Sequence, residues 1–226
     1  DYDLEKHEVK AYLSTFDDSP IYYTLDGSEP TEASIKYESP VGITQSQTLN
    51  AVLYRDGVKS EIYSKDFSFN KATTRSITLK NRPDRRYKFN GAITVVDGQK
   101  GYKQSYRTGT WSGFFSSDLD ATITLDKQTS VSSVALDMFV NTRGNLFLPK
   151  SVTVEVSDDG KAFRKVYTEK YSEMKGHEKP NIKTLKVSFP ETKANYIHVI
   201  LENINTAPAW HEKKGTPVYL MVDEIV

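Results

Sequence analysis

The sequence contains no cysteine among its 226 residues. This absence excludes disulfide bonds, thiolate metal sites and cysteine nucleophiles. It also favours a bacterial source, because exported eukaryotic β-proteins of this size often carry disulfides. No apolar run approaches the length that spans a membrane. No signal peptide is visible, but the chain begins at Asp1 without methionine, so we expect an excised fragment, in which the absence of a targeting signal is uninformative.

The sequence also has no net charge, because 30 basic side chains balance 30 acidic ones. Residues 1–70 nevertheless carry 13 acidic and 6 basic side chains, whereas residues 71–226 carry 17 acidic and 24 basic. This asymmetry predicts a domain boundary near residue 70, and the polar segment 70–74 is typical of a linker. We therefore expect two domains, 1–70 and 75–226. The basic half leaves open an attraction to anionic polysaccharide, against the simpler reading of solvated surface charge.

Catalytic arrangements are missing as well. Asp223-Glu224 is an adjacent acidic pair, but it falls in a predicted strand, where neighbouring side chains point to opposite faces. No alternating βα pattern exists to build a barrel, and the four histidines form no serine–histidine–aspartate order. The basic run Arg82 to Lys88 lacks a nucleic-acid fold signature, so we expect a solvated loop there. The chain is thus predicted to hold no catalytic residue and no nucleic-acid site.

The residues that are present indicate β-structure throughout. In the first domain, Ile21, Tyr23 and Leu25 share one face of a strand, and Asp26-Gly27 supplies a turn whose glycine takes positive φ. Asp56-Gly57 joins strand 48–55 to strand 58–69 in a hairpin. These patterns predict a small immunoglobulin- or fibronectin-like sandwich.

The second domain shows about eight to nine short strand patterns, which is typical of a jelly-roll sandwich. The predicted strands are 76–80, 92–96, 121–125, 131–140, 151–157, 162–167, 182–189, 196–202 and 218–226. After strand 151–157 a glycine-containing turn follows, and Phe163 is expected to return to the core. Loops near 98–118, 141–150, 168–181 and 203–217 hold most aromatic and polar clusters, so we expect binding residues in them.

Two family resemblances cover nearly the whole chain. Residues 8–69 resemble the C-terminal β-sandwich module of chitobiase and β-N-acetylhexosaminidases, which is mainly a spacer or packing platform. That resemblance rests on the runs Ile21 to Thr31, Ser34 to Tyr37, Pro40-Val41, Leu49 to Ala51 and Arg55 to Ser60. Residues 75–226 resemble the discoidin-type jelly roll of coagulation factors five and eight, which family-32 carbohydrate-binding modules share. The second resemblance rests on Val96 to Gly98, Trp111, Asp120 to Asp126, Ser151 to Phe163 and Val222 to Ile225.

Trp210-His211, shortly before the last strand, is similar to the domains that end bacterial family-20 hexosaminidases. The resemblances together imply the non-catalytic C-terminal part of an exported bacterial glycoside hydrolase, with a family-20 β-N-acetylhexosaminidase as the expected parent. Its expected location is the periplasm, the cell surface or the medium. The expected partners are glycans that contain galactose or N-acetylhexosamine, and the catalytic domain of the same polypeptide.

Sugar sites combine an aromatic face with planar polar side chains. The candidates in the loops are Trp210, His211, Arg143, Tyr102, Arg107 and Trp111. Trp111 can instead belong to the core, and Trp210-His211 can instead pack against the missing catalytic domain. The alternative function is therefore a structural scaffold for the catalytic barrel.

The discoidin resemblance also implies a structural calcium ion, for which Asp97 and Glu224 are the candidate ligands. Calcium takes six to eight oxygen ligands, and a loop together with one distant carboxylate can supply them. The competing reading has Asp97 capping a turn and Glu224 facing solvent or a lysine.

Overall fold

The computed structural model describes residues 1–101, 105–107 and 109–226. The described chain is all-β, as predicted, and its strands pair in antiparallel sheets. It divides into two units, Asp1–Thr74 with Gly98–Lys100, and Arg75–Asp97 with Gly101–Val226. Within the described residues, no helix combines the length and the hydropathy of a membrane span.

The described residues of the first unit form two sheets around a small core. One sheet has the order β1-β2-β5, and the other has the order β4-β3-β6-β7 with β8 also paired to β6. The strands are β1 Tyr2–Asp3, β2 Glu8–Ala11, β3 Ile21–Thr24, β4 Ile35–Lys36, β5 Val41–Ile43, β6 Gln47–Arg55, β7 Val58–Lys59 and β8 Tyr63–Phe67. The buried core consists of Val9, Val41, Ile43, Leu49, Ala51 and Phe67.

Both Asp-Gly turns of this unit are confirmed. Gly27 has a φ of 79°, and Asp26 Oδ1 accepts hydrogen bonds from the Ser28 amide at 3.0 Å and hydroxyl at 2.6 Å. Asp56 and Gly57 have φ values of 49° and 76° between the paired residues Arg55 and Val58. Two consecutive positive φ values are the geometry of a two-residue type I′ hairpin loop. The predicted strand 58–69 is divided, because residues 60–62 leave the sheet between β7 and β8.

The predicted face of β3 is also confirmed. Ile21, Tyr23 and Leu25 pack against the buried core. Tyr22, on the opposite face, meets Tyr54 edge to face at 5.8 Å between ring centroids.

The second unit is built around one continuous set of paired strands. Their order is β10-β15-β11-β14-β12-β13, with β9 also paired to β11. The strands are β9 Ser76–Leu79, β10 Ser112–Phe115, β11 Leu119–Val140, β12 Ser151–Ser157, β13 Arg164–Lys170, β14 Asn181–Glu202 and β15 Tyr219–Ile225.

Strands β11 and β14 are each 22 residues long, where the sequence predicted two shorter strands in each region. Register shifts between Thr124 and Thr129 and between Val131 and Ser133 divide the pairing. Such bulges add twist and bend a strand without ending it. The first half of β11 pairs with β9 and the second half with β15, so one strand serves two parts of the jelly roll.

Three further expectations need correction. Residues 92–96 are not a strand, because Gly91–Val95 forms a 3₁₀ helix in which the Val96 amide donates to the Ile93 carbonyl at 2.9 Å. The predicted loop 98–118 contains strand β10. Phe163 is half-buried and packs edge to face on His198 at 5.3 Å, so it lies outside the buried core.

Candidate functional site

Trp210 lies where three loops of the second unit meet. Its half-buried ring is 5.2 Å from the His177 ring and 5.4 Å from the His211 ring, between centroids. These residues, with Arg143 and Glu212, are named the Trp210 site here. The loops that supply them are 141–150, 171–180 and 203–218. Binding residues on loops that a rigid sandwich holds are a common arrangement.

His211 connects two of these loops from a fully buried position. Its side chain is 0% exposed, and its Nδ1 accepts a hydrogen bond from the Lys213 amide at 3.0 Å. Nε2 therefore carries the proton of the neutral ring and donates it to the Thr142 carbonyl at 2.8 Å. With both ring nitrogens engaged, His211 fixes the position of its neighbour Trp210 and offers no free polar atom to a ligand.

His177 and Glu212 form the accessible polar edge of the site. His177 Nε2 lies 3.0 Å from Glu212 Oε2, and the two side chains are 36% and 51% exposed. A hydrogen bond from its own amide lowers the pKa of Glu212, and the positive charge of Arg143 also lowers it, against the opposing effect of burial. Glu212 is thus a carboxylate at neutral pH and can accept hydrogen bonds from hydroxyl groups.

The nitrogens and the carboxylate oxygen of His177, His211 and Glu212 lie within 4.8 Å of one another. This spacing resembles that of a metal site, but the hydrogen bonds oppose it. A His211 ring that coordinates through Nε2 would carry its proton on Nδ1, where the Lys213 amide already donates. The donor set does not fit a metal ion, and the cluster is better described as a His177–Glu212 pair beside a structural histidine.

Arg143 is exposed on the short 3₁₀ turn Thr142–Gly144. Its carbonyl accepts a hydrogen bond from Lys213 Nζ at 3.5 Å, which ties the turn to the loop that carries Trp210. The site therefore offers an aromatic ring, a guanidinium group, an imidazole and a carboxylate. That combination suits a ligand with an apolar C–H face and several hydroxyl groups.

Two other predicted site residues, Arg107 and Trp111, lie in a second cluster. Arg107 is exposed and stacks over Tyr106 at 5.5 Å. Trp111 is 0% exposed and packs edge to face on Phe139 at 5.3 Å, which leaves its ring no surface for a ligand. Tyr102 lies outside the described residues. The structure thus brings together Trp210, His211 and Arg143, and it separates them from Arg107 and Trp111.

Sequence reasoning did not name His177 or Glu212. The available signal was weak: His177 is one of four histidines and lies in a loop already expected to bind, and Glu212 directly follows Trp210-His211. Their pairing joins residues 35 positions apart, which no local pattern reveals.

The predicted calcium ligands Asp97 and Glu224 are both buried, with 2% and 1% exposure. Asp223 is 1% exposed and accepts a hydrogen bond from the Gly101 amide at 2.6 Å. The 3₁₀ helix that precedes Asp97 packs against β15. The reading in which Glu224 faces solvent is therefore wrong, since β15 is buried along its whole length.

Comparison with known proteins identifies the second unit. The F5/8 type C domain family matches residues 84–219, which is more than half of the chain. The chain belongs to the F5/8 type C domain family. The Fn3 associated family matches residues 12–67, within the first unit. A search of the curated proteins found no match.

Solved structures similar to this F5/8 type C protein include chitosan-binding module 1 of a chitosanase/glucanase from Paenibacillus sp. IK-5. The two share 16% identity over 70% of this chain and 96% of that one, with a TM-score of 0.43. Another is the module CpGH89CBM32-5 from Clostridium perfringens in complex with GalNAc-β-1,3-galactose, at 16% identity, 66% and 91% coverage and a TM-score of 0.39.

Proposed function

We propose that the chain is a non-catalytic accessory part of a glycoside hydrolase, whose second unit binds glycans ending in galactose or N-acetylhexosamine. Binding to such glycans would hold the enzyme near its substrate and raise the effective concentration of cleavable bonds. The observation that carries the proposal is the Trp210 site, where an accessible tryptophan is surrounded by Arg143, His177 and Glu212. In this proposal Trp210, Arg143, His177 and Glu212 contact the sugar, and His211 is a positioning residue.

The first test is glycan binding by the whole chain and by the Trp210→Ala variant. A sugar stacked on tryptophan loses its aromatic contact in the variant, so the affinity should fall at least about tenfold. A glycan array identifies the ligand, and isothermal titration with that ligand measures the change. Arg143→Ala should weaken binding as well, because it removes hydrogen-bond donors without disturbing the aromatic face.

The matched control is Arg164→Ala, which removes an exposed arginine on β13, away from the three loops. It should bind as the unmodified chain does, and all variants should keep the same thermal transition. Unchanged affinity in Trp210→Ala would overturn the site assignment. A folded chain that binds no glycan would favour the alternative, a scaffold that packs against the catalytic domain.

The scaffold alternative has its own structural support in the first unit. A cavity of about 610 Å³ lies between its sheets, lined by residues that include Val9, Leu13, Leu49 and Tyr63. Tyr12 and Tyr63 at this cavity are 60% and 57% exposed. Exposed apolar surface of this kind marks a packing face.

We also propose that Asp97 and Glu224 hold a structural calcium ion. Two carboxylates buried to this degree are costly unless positive charge or hydrogen bonds compensate them, and carboxylate oxygens are the ligands that calcium prefers. Their donor chemistry and burial fit the ion, whose charge would stabilise this part of the second unit.

Calcium should therefore raise the melting temperature of the chain, and chelation should lower it by several degrees. Differential scanning fluorimetry with calcium and with EDTA measures the shift. Glu224→Gln should abolish the response to calcium, whereas magnesium should not replace calcium in the unmodified chain. A melting temperature that is the same with calcium and with EDTA would overturn the proposal, whether or not Glu224→Gln folds.

For the parent enzyme we propose a bacterial, exported family-20 β-N-acetylhexosaminidase. The support is the similarity of residues 21–31 and of Trp210-His211 to parts of those enzymes. The absence of cysteine is compatible with this origin.

A further inference from the structure

Arg86 lies on two aromatic rings at the surface of the second unit. Its guanidinium carbon is 5.6 Å from the Tyr219 ring centroid and 5.9 Å from that of Phe115, and the two rings are 4.7 Å apart. Nε donates to Asp84 Oδ1 at 3.1 Å, and Nη2 donates to the Tyr219 hydroxyl. We name Asp84, Arg86, Phe115 and Tyr219 the Arg86 platform.

The platform is held rigidly and yet is open to a ligand. The Arg86 side chain is 60% exposed and Phe115 is 42% exposed. In the described part of the second unit, Phe115 is the only aromatic residue among the exposed large hydrophobic side chains. Burial, together with the Asp84 charge, raises the pKa of Tyr219 to about 12, so its hydroxyl keeps its proton at neutral pH. An exposed aromatic ring beside fixed donors is the chemistry of a binding surface.

The platform and the Trp210 site share a wall of two paired segments. Leu146 bridges to Tyr219, and the Phe147 amide donates to the Tyr219 carbonyl at 3.1 Å. Leu146 and Tyr219 pack in one hydrophobic cluster, with Trp111 and Tyr87. Phe147 and Val218 pack in another, with Trp210. Because successive side chains of an extended segment point to opposite sides, the two surfaces lie on the two sides of this wall and are separated by the paired segments.

We propose that the Arg86 platform is a second glycan subsite, so that the second unit binds an oligosaccharide rather than a terminal sugar alone. This inference rests on the proposed glycan-binding function. The exposed part of the Phe115 ring would contact the C–H face of the second sugar, and the Arg86 N–H groups that its protein partners leave free would donate to its hydroxyls. Arg107, which stacks on Tyr106 beside Tyr87, lies on the border of the platform.

The test compares short and long ligands with the full chain. The probes are galactose, N-acetylgalactosamine and N-acetylglucosamine, each against a trisaccharide that ends in the same sugar. Titration should show about tenfold tighter binding of one trisaccharide than of its terminal monosaccharide. Phe115→Ser and Arg86→Ala should each remove most of that gain and leave monosaccharide affinity unchanged. Trp210→Ala should lower the affinity for both the monosaccharide and the trisaccharide.

Arg85→Ala is the matched control, because Arg85 is an exposed neighbour outside the platform. It should keep the full gain, and the thermal transition of each variant shows that it is folded. Equal affinity for monosaccharide and trisaccharide would overturn the second subsite and leave the Trp210 site standing. A gain that survives in both Phe115→Ser and Arg86→Ala would also overturn it. Absence of any binding in the unmodified chain would overturn the proposed function itself, and the subsite with it.

Discussion

Replacing Trp111 by alanine is expected to destabilise the second unit by about 3–5 kcal/mol, the range for removing a large aromatic side chain from a core. Trp111 is 0% exposed and packs with Phe139, Leu146, Tyr219 and Met221. The surrounding strands cannot collapse freely into the space, because β15 is paired on both sides. The loss of stability in Trp111→Ala therefore includes the cost of leaving a cavity as well as that of the lost apolar contacts.

Gly101 shows how closely the core fits around this ring. A Cβ atom at residue 101 would lie 2.4 Å from Trp111 Cε2, which is far inside van der Waals contact. The backbone thus approaches the indole as only glycine permits. Because the ring is enclosed this tightly, its removal should lower the free energy of unfolding by an amount near the upper end of that range.

Urea denaturation followed by circular dichroism measures the loss of stability. Tryptophan fluorescence is unsuitable for this variant, because the substitution removes one of the two fluorophores. Trp111→Phe should cost much less than Trp111→Ala, because it keeps most of the buried area. Trp210→Ala should cost less than Trp111→Ala, because Trp210 is only half-buried. A stable Trp111→Ala variant that has lost glycan binding would contradict this account and return Trp111 to the ligand surface.

The contrast between the two tryptophans shows what the sequence could and could not predict. Both occur in loops or at strand starts beside polar residues, so composition alone makes both plausible sugar platforms. Burial separates them, and burial depends on partners such as Phe139 and Leu146 that are distant in sequence. The sequence therefore predicted the chemistry of the candidate site but not which of its rings is accessible.

Local rules succeeded where a feature is determined by neighbouring residues. The Asp-Gly turns at 26–27 and 56–57, the face of β3, and strand β12 with its predicted bounds all follow from local alternation and glycine placement. The same local rules failed where pairing between residues distant in sequence determines the structure. Strand β14 continues past Pro190 because the register shift there removes the need for a ladder hydrogen bond. A strand was predicted where the 3₁₀ helix Gly91–Val95 lies. Residues 94–97 are all buried, so this apolar run lacks the alternation of buried and exposed side chains that marks a strand.

His198→Ala is expected to destabilise the second unit by about 2 kcal/mol, between the values for exposed and fully buried ion pairs. His198 on β14 lies between two carboxylates, with Nε2 2.7 Å from Asp120 Oδ1 and Nδ1 3.1 Å from Glu155 Oε2. The three side chains are 18%, 16% and 23% exposed. An ionised carboxylate only accepts hydrogen bonds, so a ring with protons on both nitrogens satisfies both partners.

Removing the ring leaves Asp120 on β11 and Glu155 on β12 as two like charges on the strands that flank β14. Asp120 retains Lys80 at 3.6 Å, which is 77% exposed and screened by solvent. Phe163 also loses its edge-to-face partner. The predicted cost thus has an electrostatic part, from the uncompensated carboxylates, and a smaller packing part.

A double-mutant cycle separates these two parts. In the His198→Ala background, Glu155→Gln should recover part of the lost stability, because it removes one of the two unpaired charges. In the unmodified chain the same change should be destabilising, because it breaks a pair. Tryptophan fluorescence during urea denaturation reports on the second unit, where both tryptophans lie. If Glu155→Gln has the same effect in both backgrounds, the histidine contributes by packing against Phe163, and the charge network does not stabilise the jelly roll.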